Sequence, residues 1–166
     1  KTMLLSAYGQ WTKKSGYCEL SKGKLKQLIL EDKRFGRVLK AQKANKVMYT
    51  IESFTDYPNY YISDMTFTAP RAVTDANPWQ KEYKWGHRIL FDYTNKNGVR
   101  LQGTLAIPDD YKEGQKRPML VNFYEKNSQN LHRHVYPRYA SSFGGILIEP
   151  VSKGYLYMQP DVHFNV

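Results

Sequence analysis

"RPMLVNFYEKNSQN", residues 117–130, is the stretch on which the fold turns. Met119, Leu120 and Val121 form a short apolar run, opened by Pro118 and prolonged by Asn122, Phe123 and Tyr124. Glu125, Lys126 and Asn127 end it abruptly. A run of this length and composition predicts a strand buried on both faces, the kind found in a parallel sheet flanked by helices. Sites in such sheets lie at the carboxyl ends of the strands. Tyr124 therefore has two readings, as the last packing residue of a strand or as a phenol aimed into a site.

Working outward, "GYLYMQPDV" (154–162) reads as a second buried strand, ending at Pro160-Asp161. "GGILIEPVSK" before it is at best a short helix, since Gly144, Gly145 and Pro150 are poor helix formers. Upstream, "RILFDYTNKNGVRLQGTLAIP" (88–108) predicts a hairpin turning at Asn97-Gly98. Ile89, Phe91 and Tyr93 share one face of its first strand, with Arg88 and Asp92 on the other. On the return strand Val99, Leu101, Leu105 and Ile107 alternate with Arg100, Gln102 and Thr104. An antiparallel hairpin followed by two buried strands is how a mixed α/β sheet with an antiparallel edge begins. "DANPWQKEYKWGHR" (75–88) is a polar, Trp-punctuated bridge to what precedes.

The first half repeats. "MLLSAYG", "GYCELS" and "LKQLIL" are strand-like runs, and about 45 residues later "VMYTIESF", "NYYISDM" and "RAVTD" follow the same pattern. Met3 corresponds to Met48, Tyr17 to Tyr61, and Lys26-Gln-Leu to Arg71-Ala-Val. "RVLKAQKA" between the two sets supplies another strand. This period, with about four strands per unit, is the signature of a propeller blade, and a sandwich is the other architecture it allows.

Hydrophobic residues make up 41% of the 166 and aromatics 14%, enough for a packed core. No run approaches the ~18–20 apolar residues of a membrane span. A net charge of +10 suggests anionic partners, but Lys13, Lys14, Lys22, Lys24, Lys26, Lys40, Lys43 and Lys46 are scattered over turns and alternating strands, as solvated faces are, and no nucleic-acid motif accompanies them. Nucleic acid is therefore not an expected partner. The single cysteine, Cys18, beside Tyr17 and Leu20, reads as a small core residue and not a nucleophile. The pair His132-x-His134 has no third ligand at zinc spacing and reads as a surface loop with two imidazoles; no metal or cofactor is implied. The chain opens Lys-Thr-Met and stops directly after a strand, which reads as a piece of a larger protein and leaves localisation unassigned.

Taken together, the repeated blade, the Trp-containing bridge, "NGVRLQGTLAIPDDY", "RPMLVNFY" and "GYLYMQPDV" resemble the prolyl oligopeptidase family of serine peptidases, which includes dipeptidyl and acylaminoacyl peptidases. "ESFTDYPNYYISD" is similar to a terminal blade of these enzymes. The resemblance implies a mixed β and α/β fold: the last one or two β-propeller blades over residues 1–80, then the N-terminal part of an α/β-hydrolase domain over 81–166. It implies a peptide substrate, hydrolysis by acyl transfer to a Ser, and the rest of the parent polypeptide as partner. The hydrolase fold needs Gly-x-Ser-x-Gly, then an Asp, then a His. No Gly-x-Ser-x-Gly occurs, and Ser141-Ser142 before "FGG" do not supply one. By that order the nucleophile is expected beyond Val166, and this chain alone is expected to be inactive. Asp161 and His163 come too early to be the acid and base; Asp161 is taken as a strand-end residue stabilising the next loop.

One catalytic element falls inside the chain by the same resemblance. The family's Tyr at the end of the strand matching "MLVNFY" donates to the oxyanion, and Tyr124 occupies its position. A phenol suits the role as a neutral donor on a rigid ring. Members commonly carry Gly-Gly-Pro after this Tyr; this chain has Glu125-Lys126-Asn127, whose side chains are expected to change the loop or crowd the site. The competing reading is a non-catalytic β-rich module for glycan or protein, with Tyr and Trp on its surface.

Overall fold

The computed structural model describes residues 2–137 and 147–163. These fall into two compact units, one of 2–77 with 132–134, the other of 78–131 with 135–137 and 147–163. Ser141, Ser142, Gly144 and Gly145 lie outside the described residues.

In the first unit, β1 (Thr2–Tyr8), β2 (Ser15–Ser21) and β3 (Lys24–Glu31) form an antiparallel meander. A second sheet is built on β6 (Val47–Glu52), which pairs with β7 (Asn59–Ser63) on one side. On its other side it takes the short strands β4 (Arg34–Phe35) and β5 (Leu39–Lys40). β7 then pairs with β8 (Arg71–Ala72). The repeat is visible as two meanders in the same order, β1-β2-β3 and β6-β7-β8. "RVLKAQKA" contributes only the two residues of β5, and two more at Arg34–Phe35 were not expected.

Tyr17, Ile29, Val47, Tyr49 and Phe67 form this unit's core. Tyr17 stacks on Phe67 at 4.6 Å and meets Tyr49 edge-on at 6.1 Å. Its hydroxyl donates to the Gly36 carbonyl, so the ring is buried with its polar end satisfied. Burial, and next the Tyr49 hydroxyl, push the Tyr17 pKa up to about 12. Gly16 is fixed by close approach: a Cβ there would lie 1.9 Å from the Ile29 carbonyl oxygen, next to the register shift at Tyr17/Cys18. Two expectations are corrected. Cys18 is half-buried and not core, because successive side chains of a strand point to opposite faces and Tyr17 takes the core face. Lys13 is buried, not solvated: it sits in a tight turn at φ 62°, and its ammonium donates to the Gln10 carbonyl at 2.8 Å.

The second unit contains the hairpin β9 (His87–Thr94) and β10 (Arg100–Ile107). Its turn closes through the Asn95 side chain, which accepts from the N–H groups of Asn97 and Val99 at 3.0 Å each, with Gly98 at φ 78°. The helix α1 (Ile148–Ser152) leads to β12 (Leu156–Pro160), which pairs antiparallel with β10 and parallel with β11 (Met119–Val121). The order β11-β12-β10-β9 is thus mixed, as the sequence predicts. Gly103 lets Phe91 lie across β10, since a Cβ would meet the ring at 2.4 Å.

Two details differ from expectation. Gln102 and Thr104 are buried while Leu101 and Leu105 are only half-buried; β10 is an interior strand, and its polar face is also covered. β11 is three residues long, and Met119 and Val121 stay 43% and 41% exposed. It is an edge strand with no described element over those side chains, so it is not buried on both faces.

Candidate functional site

The parallel register of β11 on β12 pairs Met119 with Leu156 and Val121 with Met158. Asn122 extends the ladder by one bond, its N–H donating to the Met158 carbonyl at 2.9 Å. Beyond it Phe123 and Tyr124 project outward, 67% and 68% exposed. Tyr124 is therefore not a packed strand end, and among the described residues its hydroxyl has no hydrogen-bond partner.

The chain on either side of this pair is held firmly. The Asn122 side chain is hydrogen-bonded to the hydroxyl of the fully buried Tyr157. Burial raises the Tyr157 pKa, against the lowering effects of that bond and of the Arg88 charge, so the hydroxyl stays protonated. After Tyr124, the Glu125 carbonyl accepts the Val162 N–H at 2.8 Å. Glu125 takes φ 47°, in the left-handed region that glycine enters freely. Where the family commonly carries Gly-Gly-Pro, Glu125 adopts this left-handed turn with its side chain exposed.

A 3₁₀ turn, Ser128–Asn130, follows. Ser128 is bound twice by Asp161, its N–H donating to Oδ1 at 2.7 Å and its hydroxyl to Oδ2 at 2.5 Å. Asp161 is itself fixed. Its N–H donates to the Gln102 carbonyl at 2.8 Å, and its own carbonyl accepts the Tyr93 hydroxyl. Burial, and then the Asp161 charge, raise the Tyr93 pKa. Arg88 donates to the Asn130 carbonyl at 2.6 Å, closing the far end of the turn. Asp161 does stabilise a loop, and that loop is the one carrying Tyr124, not the one that follows β12.

His132 and His134 do not form a surface loop. His134 is 2% exposed within the first unit, its ring edge-on to Tyr57 at 5.2 Å and hydrogen-bonded to the backbone of Phe54 and Ser53. His132 Nε2 lies 3.9 Å from Asp32 Oδ1. Among the described residues no three His, Cys, Asp or Glu gather to hold a metal, and no helix is long and apolar enough to cross a membrane. The partners of Tyr124's loop, namely Asn122, Tyr157, Arg88 and Ser128, were missed in the sequence. Only Asp161, polar and directly after a strand-ending Pro160, carried a signal.

No family model and no curated relative matches the chain. Its likeness is to solved structures. It is similar to the AtxE2 isopeptidase solved with Astexin3-dC4 bound, at TM-score 0.73 and 13% identity, covering 99% of this chain and 24% of that one. It is similar to dipeptidyl peptidase 4 of Porphyromonas gingivalis, at TM-score 0.67 and 18% identity over 96% of this chain and 22% of that one. For the acylaminoacyl peptidase of Pyrococcus horikoshii the values are 0.63 and 16%, over 96% and 23%. Peptidases of the prolyl oligopeptidase family are thus its structural neighbours, at identities that speak for the fold alone. The chain spans under a quarter of the length of each of these three.

Proposed function

We propose that the chain belongs to a serine peptidase of the prolyl oligopeptidase type, with residues 1–80 contributing propeller blades and 81–166 opening the α/β-hydrolase domain. In this reading the Ser, Asp and His are supplied by sequence outside these 166 residues. The parent protein cleaves peptide bonds in short peptides by acyl transfer to that Ser, and water releases the acyl group. As the nucleophile attacks, the scissile carbonyl oxygen gains negative charge. The Tyr124 hydroxyl donates to it, beside the backbone N–H that follows the nucleophile. A phenol suits this role as a neutral hydrogen-bond donor on a rigid ring.

The observation that carries the reading is the exposed Tyr124 at the carboxyl end of a parallel strand pair, its hydroxyl unengaged while the backbone on both sides is pinned. Preorganisation of this kind is what oxyanion stabilisation demands. The competing binding-module reading draws on exposed Trp11, Tyr60, Trp79 and Tyr83. Trp11 lies in a turn, Tyr60 on β7, and Trp79 and Tyr83 in and directly after the 3₁₀ turn Pro78–Glu82, so no one described sheet face gathers them.

Tyr124→Phe in the full-length protein tests the proposal, because it keeps the ring and removes only the donor. With a peptide p-nitroanilide, kcat is expected to fall about 10²–10³-fold with KM little changed. A kcat within about twofold of the parent overturns the assignment.

A further inference from the structure

Three groups converge on the back of the Tyr124 loop: Asp161, Ser128 and the carbonyl of Glu125. Asp161 is 7% exposed and Ser128 1%. The carboxylate spends both oxygens on one residue, taking the Ser128 N–H at 2.7 Å and its hydroxyl at 2.5 Å. Its backbone is committed on both sides, to the Gln102 carbonyl and the Tyr93 hydroxyl. The next residue, Val162, holds the Glu125 carbonyl at 2.8 Å. The left-handed turn is therefore tied at Glu125 itself and three positions on, at Ser128, by contacts to consecutive residues of one strand end.

We infer that Asp161 is a positioning residue for the oxyanion donor: through Ser128 it fixes the loop that aims the Tyr124 hydroxyl. The inference rests on the reading of Tyr124 given above. A buried carboxylate is an expensive way to pin a turn, since charge is costly to remove from water unless well bonded. What it supplies is stiffness. Charge-assisted bonds are shorter and stronger than neutral ones, and displacing a catalytic group by about 1 Å can cost roughly 100-fold in rate. Ser128 lies between the other fixed points of the loop, the Glu125 carbonyl held by Val162 and the Asn130 carbonyl held by Arg88. Tyr93, on β9, extends the same support back to the hairpin.

The test is a double-mutant cycle in the full-length protein, using Asp161→Asn, Tyr124→Phe and the two combined, assayed on a peptide p-nitroanilide with melting temperatures recorded alongside. Asparagine keeps the shape and one acceptor but loses the charge. Asp161→Asn is expected to lower kcat between about 10- and 100-fold with KM within about twofold. In the Tyr124→Phe background the same change is expected to add less than about twofold, because no donor remains to be misplaced. If the two effects multiply, Asp161 acts on the reaction by another route and the inference fails. If Asp161→Asn folds and keeps the parent's kcat, it also fails. If Tyr124→Phe alone leaves kcat unchanged, the donor reading itself is lost, a result distinct from the other two. Should Asp161→Asn not fold, Ser128→Ala, which removes one of the two bonds and leaves the backbone contact, takes its place in the cycle with the same expected pattern.

Discussion

At the scale of single residues, Glu125 shows how a sequence departure can leave local geometry usable. Its φ of 47° costs an L-residue about 1–2 kcal/mol, whereas glycine visits that region freely at an entropic cost of roughly 0.5–1 kcal/mol. The Glu125 side chain is exposed, so little is lost by removing it. Glu125→Gly is expected to stabilise the protein by about 0.5–1 kcal/mol, raising the melting temperature by roughly 2 °C. An unchanged or lowered value would mean that the Glu125 side chain contributes something its exposure hides. The position of Tyr124 was legible because an apolar run ending in a polar triplet marks a strand end. Its exposure was not, since sequence cannot tell whether another element covers an edge. Ser128 was invisible for a related reason: its partner, Asp161, comes from a distant strand end, and no local spacing links them.

At the scale of elements, the hairpin was the most readable part, with Asn97-Gly98 and strict alternation agreeing on one structure. Alternation says which residues share a face but not which face is covered, so buried Gln102 and Thr104 could not be foreseen. The His132–His134 segment was misread because loops usually face water, and its burial is decided by residues far back in the chain. Burial holds the His134 pKa below 6.5, against the Glu52 charge, the bonds to Phe54 and Ser53, and the Asp56 charge. The acidic groups facing it are partly neutralised already, Glu52 by Arg34 and Asp56 by Lys33; the Tyr57 ring packs edge-on against it, and two residues back His132 lies 3.9 Å from Asp32. The folded state thus resists a proton that the unfolded chain accepts near 6.5. This contribution to stability is complete above that pH and is lost as pH falls through the lower, folded value. The melting temperature is expected to drop from about pH 7.5 to about pH 5.5, and His134→Leu to flatten that drop. An identical pH slope in the variant would show that other groups set it.

At the scale of the whole molecule, 166 residues carry a net charge of +10, which keeps chains apart, and an apolar strand edge, which draws them together. Met119, Val121, Phe123 and Tyr124 are all exposed along that edge. The isolated 166-residue chain is expected to self-associate, more so at high salt where the charge is screened. Val121→Lys, placing a charge on the edge, is expected to raise the monomer fraction in sedimentation experiments without altering the circular dichroism. A parent chain already monomeric, with one sharp thermal transition, would contradict this and favour a self-contained binding module. The strand order adds a constraint in time. Met119–Val121 pair with Leu156–Pro160, which are synthesised later. While the ribosome is still adding that later segment, the strand that ends three residues before Tyr124 has already been made and has no template to join. It is paired only when the polypeptide doubles back, so on the nascent chain this stretch waits without a neighbour until Leu156–Pro160 have been made.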